Sequence, residues 1–358
     1  MHPGHKRKFW ISVLTHWKIF VLSNGNKENI YMIIEAKDLT KDYVVKLKGK
    51  GLKGMTKSLF KSEKKIVHAV KNVDLSIEEG ELVGYIGPNG AGKSTTIKML
   101  TGILQPTSGQ IRVCGLEPSK NRVQNAMNVG AVFGQKTQLW WDLPVRETFE
   151  LLKRMYSIPD PVYQKNLDDF MDFLELESFI NQPVRQLSLG QRMRAEIAAS
   201  LLHSPKVLYL DEPTIGLDIN IKLKMREFIK KINQERGVTV MLTTHDLQDI
   251  EQMARRIVVI NHGTVCFNGT MEELSEKYAG GSHSISFTLQ TDVAALDLSP
   301  GLKDKVKVDK DGRHVKITHP QTVAAADILT EIFKSYSVSD IEIKGPQIED
   351  VVMEVYNS

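Results

Sequence analysis

From residue 32 onward, apolar residues fall in short runs divided by polar turns. "MIIEAKDL", "KNVDLSI", "ELVGYIG" and "QIRVCG" read as strands, followed by "VGAVFGQ" and then a mostly helical stretch from Val145 to about Ile180. Beyond Pro205 the strand-helix alternation returns with "KVLYLDEP", "VTVMLTTHD" and "RIVVINHG". This order predicts a parallel α/β core interrupted by a helical insertion. After about Gly281 the texture changes: "SISFTL", "KVKVD", "HVKITH" and "DIEIKG" alternate as strands, with a hairpin turn at "DKDG". Helices fit Thr322–Tyr336 and Gln347–Tyr356, which makes a small α+β domain without a catalytic cluster.

One strand runs directly into a glycine-rich turn. Gly87 to Ser94 matches G-x-x-x-x-G-K-[ST], between the buried strand "ELVGYIG" and the helix "KSTTIKMLTG" closed by Gly102. Gly87, Gly90 and Gly92 let consecutive backbone N–H groups point at phosphate oxygens. Lys93 and Ser94 open a helix whose dipole favours anions, the ammonium reaching the terminal phosphates and the hydroxyl reaching Mg²⁺. A turn that binds nothing would need none of this together. The site is built for a nucleoside triphosphate.

The second half carries the remaining chemistry. "KVLYLDEPT" is a continuous apolar strand ending in Asp211 and Glu212, at the carboxyl edge where ligands sit in such sheets. Asp211 suits Mg²⁺ and its water shell, and Glu212 is then placed to polarise an attacking water as general base. "QLSLGQRMRAE" puts Ser188 at an N-cap and Gly190 in the first turn of a helix, which on its own is equally an ordinary capped helix. "TIGLD" then sets Asp218 six residues beyond Glu212, and "LTTHD" ends a later strand with His245 at the same edge.

Composition narrows the class. With 358 residues, 41% hydrophobic and 25% charged, the chain is an ordinary globular one, and its net charge of +4 argues against a dedicated nucleic-acid binder. Cys114 and Cys266 lack metal-type spacing and read as reduced thiols in a cytosolic protein. The nearest approach to a membrane span, Phe9 to Leu22, is short and interrupted by His16 and Lys18. The first strand begins only at Met32, so residues 1–31 read as a leader outside the fold.

Five pieces stand in one order: GPNGAGKST, Gln135 at the end of "VFGQ", LSLGQ, "LYLDEPTIGLD" and "TTHD". As a set they resemble the nucleotide-binding subunit of an ATP-binding cassette (ABC) transporter, over about Met32 to Glu276. Its exporter group is the nearest in pattern, notably through "VFGQKTQLWWDLPVRETFELL". The resemblance implies a P-loop NTPase core of ABC type at 32–280, with a basic insertion at 46–65 and a helical subdomain at about 145–203, and an accessory α+β domain at 281–358. It implies ATP and Mg²⁺ as cofactors, held by Gly87, Asn89, Gly90, Gly92, Lys93, Ser94 and Thr95. Gln135 would contact Mg²⁺ and the lytic water, Asp211 would be the metal partner, Glu212 the base and His245 the γ-phosphate sensor. Ser188, Gly190 and Gln191 would act in trans with Asp218 beside them, and Tyr43 would stack on adenine. LSLGQ replaces the commoner LSGGQ but keeps the serine and second glycine, and "GLD" replaces "ALD".

The implied partners are a second copy or a paired ATPase subunit in a nucleotide-sandwiched dimer, and an integral membrane permease. The chain would then sit peripherally on the cytoplasmic face of the cell membrane, with no nucleic acid bound. A soluble ABC-type ATPase acting on ribosomes or DNA is the alternative from another class, and an importer subunit is a further one. A single cassette with no sustained heptads weighs against the first of these.

Two stretches add surface chemistry. Lys46 to Lys65 holds eight lysines and one acid, Glu63, which reads as a solvated loop or as a contact with anionic lipid. Trp140 and Trp141 follow Gln135, and adjacent large side chains on an extended segment face opposite ways, so at least one is expected at the surface, where it would anchor a permease helix.

Overall fold

The structure, a computed structural model, describes residues 32–46, 64–134, 136–244, 246–278, 283–320, 322–345 and 348–357. The leader, the interior of the basic insertion, Gln135 and His245 lie outside the described residues. Residues from Met32 onward form one compact unit.

The central sheet has six strands in the order β5-β6-β7-β3-β8-β9, comprising β3 (Leu82–Ile86), β5 (Val129–Phe133), β6 (Val207–Asp211), β7 (Thr239–Thr243), β8 (Arg256–Asn261) and β9 (Thr264–Thr270). The first five pair in parallel and β9 closes the edge antiparallel to β8. The apolar runs are continuous because both faces are covered, so alternate residues enter different cores. Leu208, Leu210, Val240, Leu242 and Val259 join one cluster, while Val207, Tyr209, Met241 and Val258 join the other.

The second cluster is roofed by an element the parallel pattern did not specify. β1 (Met32–Lys46), β2 (Lys64–Glu78) and β4 (Ser108–Val113) form a separate antiparallel sheet in the order β2-β1-β4. It packs with α1 (Lys93–Leu100), the helix that follows the glycine-rich turn. The strands extend through Lys46 and resume at Lys64, further into the basic insertion than the sequence pattern indicated.

Helices cover the other face: α3 (Val145–Met155), α4 (Asp160–Phe173), α5 (Leu189–Leu201), α6 (Ile219–Arg236), α7 (Leu247–Met253) and α8 (Met271–Tyr278); α2 (Arg122–Asn128) precedes β5. Phe149, Phe170 and Phe179 are completely buried among α3 to α5 and hold the helical insertion together. Burying one such side chain stabilises the fold by about 2–3 kcal/mol.

The C-terminal region builds its own sheet, β11-β12-β10-β13, from β10 (His283–Leu289), β11 (Lys307–Asp311), β12 (His314–His319) and β13 (Val338–Lys344). α9 (Pro300–Lys303) precedes β11, and α10 (Ala325–Ser335) covers one face through Ile328 and Ile332. The β11–β12 turn falls at Gly312 and Arg313, two residues later than a strand over "KVKVD" implies, because Asp311 pairs with His314. The last helix, α11 (Ile348–Asn357), does not stay with this sheet. Its Val351, Val352 and Val355 are buried in the cassette core, and Asn261 donates to the Tyr356 carbonyl at 3.0 Å. The C-terminal region is therefore not self-contained. No helix among the described residues is long and apolar enough to cross a membrane.

Candidate functional site

In a parallel sheet all carboxyl ends open on one edge. Here Phe133 of β5, Asp211 of β6 and Thr243 of β7 form one row. Gly134, Glu212 and Thr244 are the residues that leave it. β3 lies beside β7 and delivers the glycine-rich turn to the same edge.

The turn's shape follows from its glycines. Gly90 has φ 82° and Gly92 φ 112°, in the left-handed region that side chains resist. A Cβ on Gly87 would meet the Ile260 carbonyl at 2.2 Å, and one on Gly92 the Ala69 carbonyl at 2.5 Å. α1 then begins at Lys93 with no side-chain cap, which leaves its first N–H groups to a ligand. Lys93 is buried, and its ammonium donates to the carbonyls of Gly87 at 2.5 Å and Pro88 at 3.2 Å. Burial lowers its pKa, and the charges of Glu212 and Asp211 push the other way. Ser94 and Thr95 are half-buried beside it, and Asn89 is exposed.

A cavity of about 480 Å³ opens at this edge, lined by Asn89, Ser94, Gly134, Asp211 and Glu212 among others. Thr243 donates to Asp211 Oδ1 at 2.7 Å, and the Glu212 N–H donates to the Thr243 carbonyl at 3.0 Å. Glu212 has φ 58°, left-handed for a non-glycine residue, which costs of the order of 1–3 kcal/mol and is a recurrent feature of functional positions. Gly134 approaches closely enough that a Cβ would lie 3.0 Å from the Glu212 carbonyl. A hydroxyl and a carboxylate facing a polyphosphate site fit a hard cation that keeps most of its waters.

A second patch lies at two helix starts. Ser188 caps α5 in a reciprocal pair with Gln191: the Gln191 N–H donates to Ser188 Oγ at 3.2 Å, and the Ser188 N–H to the Gln191 side chain at 2.9 Å. Asp218 caps α6 by accepting from the Ile221 N–H at 3.0 Å. The two starts abut, since a Cβ on Gly190 would meet Ile221 Cδ1 at 2.5 Å. Ser188 and Asp218 are both exposed. Tyr43 stands on β1 opposite Val67, two positions along β2 from the Ala69 carbonyl that closes over Gly92, with the Lys41 ammonium 5.6 Å from its ring centroid.

Beneath this edge lies a buried polar cluster that the motifs did not reveal. Asp249 on α7 is fully buried and accepts from Thr214 at 2.6 Å, from Thr244 at 3.3 Å and from the Arg226 guanidinium. Thr214 follows Glu212 and Thr244 precedes His245, so one carboxylate ties the segments leaving β6 and β7. In sequence, Asp249 reads as one more polar residue on a helix. Trp140 and Trp141 are both at the surface, 39% and 50% exposed.

A glycine-rich turn, an acidic strand end and a shared sheet edge have the form of a P-loop cassette. Residues 70–215 match the family model described as ABC transporter. The chain is 30% identical over 291 residues to the daunorubicin resistance ATP-binding protein DrrA3 of Streptomyces coeruleorubidus, covering 80% of this chain and 90% of that one. It is 34% identical to the probable sulfate/thiosulfate import ATP-binding protein CysA of Chlorella vulgaris, over 58% of this chain and 87% of that one. ABC transporter A family member 1 of Dictyostelium discoideum is 34% identical, but the match spans only 26% of that protein. Among solved structures, the dimeric post-hydrolysis ATP-binding cassette MJ0796 bound to ADP and Pi superposes with a TM-score of 0.56 at 30% identity, covering 66% of this chain and 98% of that one. The chain belongs to the ABC transporter family, as one of its ATP-binding cassettes.

Proposed function

We propose that the chain is the ATP-hydrolysing motor subunit of an exporter, working as a nucleotide-sandwiched dimer on a separate membrane permease. The observation that carries it is the single cavity where Ser94, Asp211 and Glu212 meet at the strand edge beside Lys93. The turn's N–H groups and Lys93 hold the phosphates. Ser94 and Asp211, with Gln135, would hold Mg²⁺, which neutralises phosphate charge when bound. Glu212 takes the proton of the attacking water, and His245 donates to the γ-phosphate. Tyr43 stacks on the adenine. Ser188, Gly190 and Gln191, with Asp218 beside them, complete the site of the second subunit from two adjacent helix starts, at which Ser188 and Asp218 are exposed and Gly190 is buried.

Export is favoured because similarity to the daunorubicin resistance protein extends over 80% of this chain, against 58% for the sulfate/thiosulfate import protein. The exposed Trp140–Trp141 pair is the anchor for a permease helix. The test is co-expression with the membrane protein encoded beside this chain. Co-purification and ATP-driven export from vesicles are expected, and Trp141→Ala should reduce both together while the isolated subunit still folds and binds ATP. Inward accumulation, or no membrane partner at all, would overturn the reading.

A further inference from the structure

Glu196 lies on α5, only 4% exposed, and among the described residues no cation pairs with it. A buried carboxylate without a counter-ion is costly, and an apolar residue would fill the same space at less expense. Every donor found for it comes from one short segment. The Thr137 hydroxyl donates to Oε1, and the Gln138 N–H lies 3.2 Å from both carboxylate oxygens. The Gln138 side-chain amide completes the contact by donating to the Glu196 carbonyl at 3.0 Å. Leu139, next along, is buried in the core.

The same segment touches α5 a second time. The Arg192 guanidinium lies 6.0 Å from the ring of Trp141. Ser188, Arg192 and Glu196 are spaced four residues apart, which places them in one row along a helix. The row runs from the cap offered to a second subunit, through Trp141, to the carboxylate that holds Thr137 and Gln138. At its other end the segment leaves β5 at Gly134, where the phosphate cavity begins.

We propose that Glu196 is a positioning residue that fastens segment 136–141 to α5, so that a change in the phosphate cavity reaches Ser188 as movement of one rigid piece. The proposal rests on the composite-site reading of Ser188 and adds the means by which one subunit's nucleotide governs the donor it lends to the other. Burial raises the Glu196 pKa, and the donors from Thr137, Gln138 and Leu139 oppose that rise.

Hydrogen exchange of the full chain with and without ATP tests it, in a Glu212→Gln background that retains the nucleotide. With Glu196 intact, ATP should slow exchange both at 136–141 and in the first turn of α5. In Glu196→Ala the response at 136–141 should persist while that at α5 falls about threefold or more, because a broken link transmits nothing. With Glu212 restored, Glu196→Ala should lower kcat about tenfold with ATP affinity within about twofold, and Glu196→Gln, which keeps one acceptor oxygen, should recover part of the loss. Should Glu196→Ala fail to fold, Thr137→Val removes the hydroxyl donor alone and should weaken the α5 response. An undiminished ATP response at α5 in the variant that folds overturns the clamp. Full turnover in a Ser188→Arg chain overturns the composite-site reading instead.

Discussion

The Thr243 hydroxyl donates a 2.7 Å hydrogen bond to Asp211 Oδ1 across two neighbouring parallel strands. The bond fixes the rotation of the carboxylate at the sheet edge, and its donor sits two residues before His245. The residue that leaves β6, Glu212, is held by its N–H to the carbonyl of the same threonine at 3.0 Å. One residue of β7 thus sets both acidic groups.

Glu212→Gln is expected to lower turnover about 100-fold or more, because the amide cannot accept the water's proton. ATP binding should survive, since the turn and Lys93 are untouched, and a closed dimer should accumulate. Phosphate release together with size-exclusion in ATP checks both. A variant that hydrolyses at the parent rate would remove Glu212 from the base role.

The helix cap at Ser188 can be separated from the role proposed for it in trans. Ser188→Ala removes the cap of α5 and should cost about 1 kcal/mol in urea unfolding of the isolated chain. Mixing a Ser188→Arg chain with a Lys93→Ala chain should restore activity above either alone, since each mixed dimer then carries one intact composite site. Mixed dimers that form but stay inactive would count against sharing.

Asp249→Ala should destabilise the fold by about 2–3 kcal/mol, since it removes the buried carboxylate that Arg226, Thr214 and Thr244 share and leaves the guanidinium only Gln252 at 3.0 Å and Asp246 at 3.7 Å. Replacing Arg226 and Asp249 together with leucine should cost much less than the single change predicts. Guanidinium unfolding of the parent and the two variants decides the matter, and equal losses for the single and double changes would contradict the pairing.

His203 gives the fold a pH dependence. It stacks on Tyr156 at 4.1 Å, its Nε2 lies 3.1 Å from the Val129 carbonyl, and burial pushes its pKa down to about 4. The unfolded chain therefore takes up this proton at a higher pH than the folded one. Stability from this group is complete above about pH 6.5 and falls by roughly 2 kcal/mol on going to pH 5. Urea midpoints across that range should show the slope, and His203→Phe should flatten it; an unchanged slope would refute the assignment.

The parts legible in sequence were those whose chemistry is local. The turn Gly87–Ser94 announces itself because three glycines, a lysine and a serine must be contiguous to wrap a phosphate. Ser188 was legible as a cap because its partner Gln191 is three residues away. Asp249 and Glu196 were not, because their partners stand 35 residues away at Thr214 and 59 away at Thr137, and no helical period marks a buried carboxylate. The roofing sheet was missed for a similar reason: β1, β2 and β4 read as strands, but their pairing is antiparallel and non-local, which apolar runs do not specify.

α11 places Val351, Val352 and Val355 in a core whose other members end at Leu274. A ribosome therefore releases the cassette's strands and helices well before the residues that finish packing them. Until α11 emerges, after the whole C-terminal sheet, the nascent cassette displays an open apolar slot beside α7 and α8. Cleavage between that sheet and the cassette, or a stop codon after it, would leave the same slot unfilled. Apolar surface on the cassette is thus covered by a helix that lies beyond the whole C-terminal sheet in the chain.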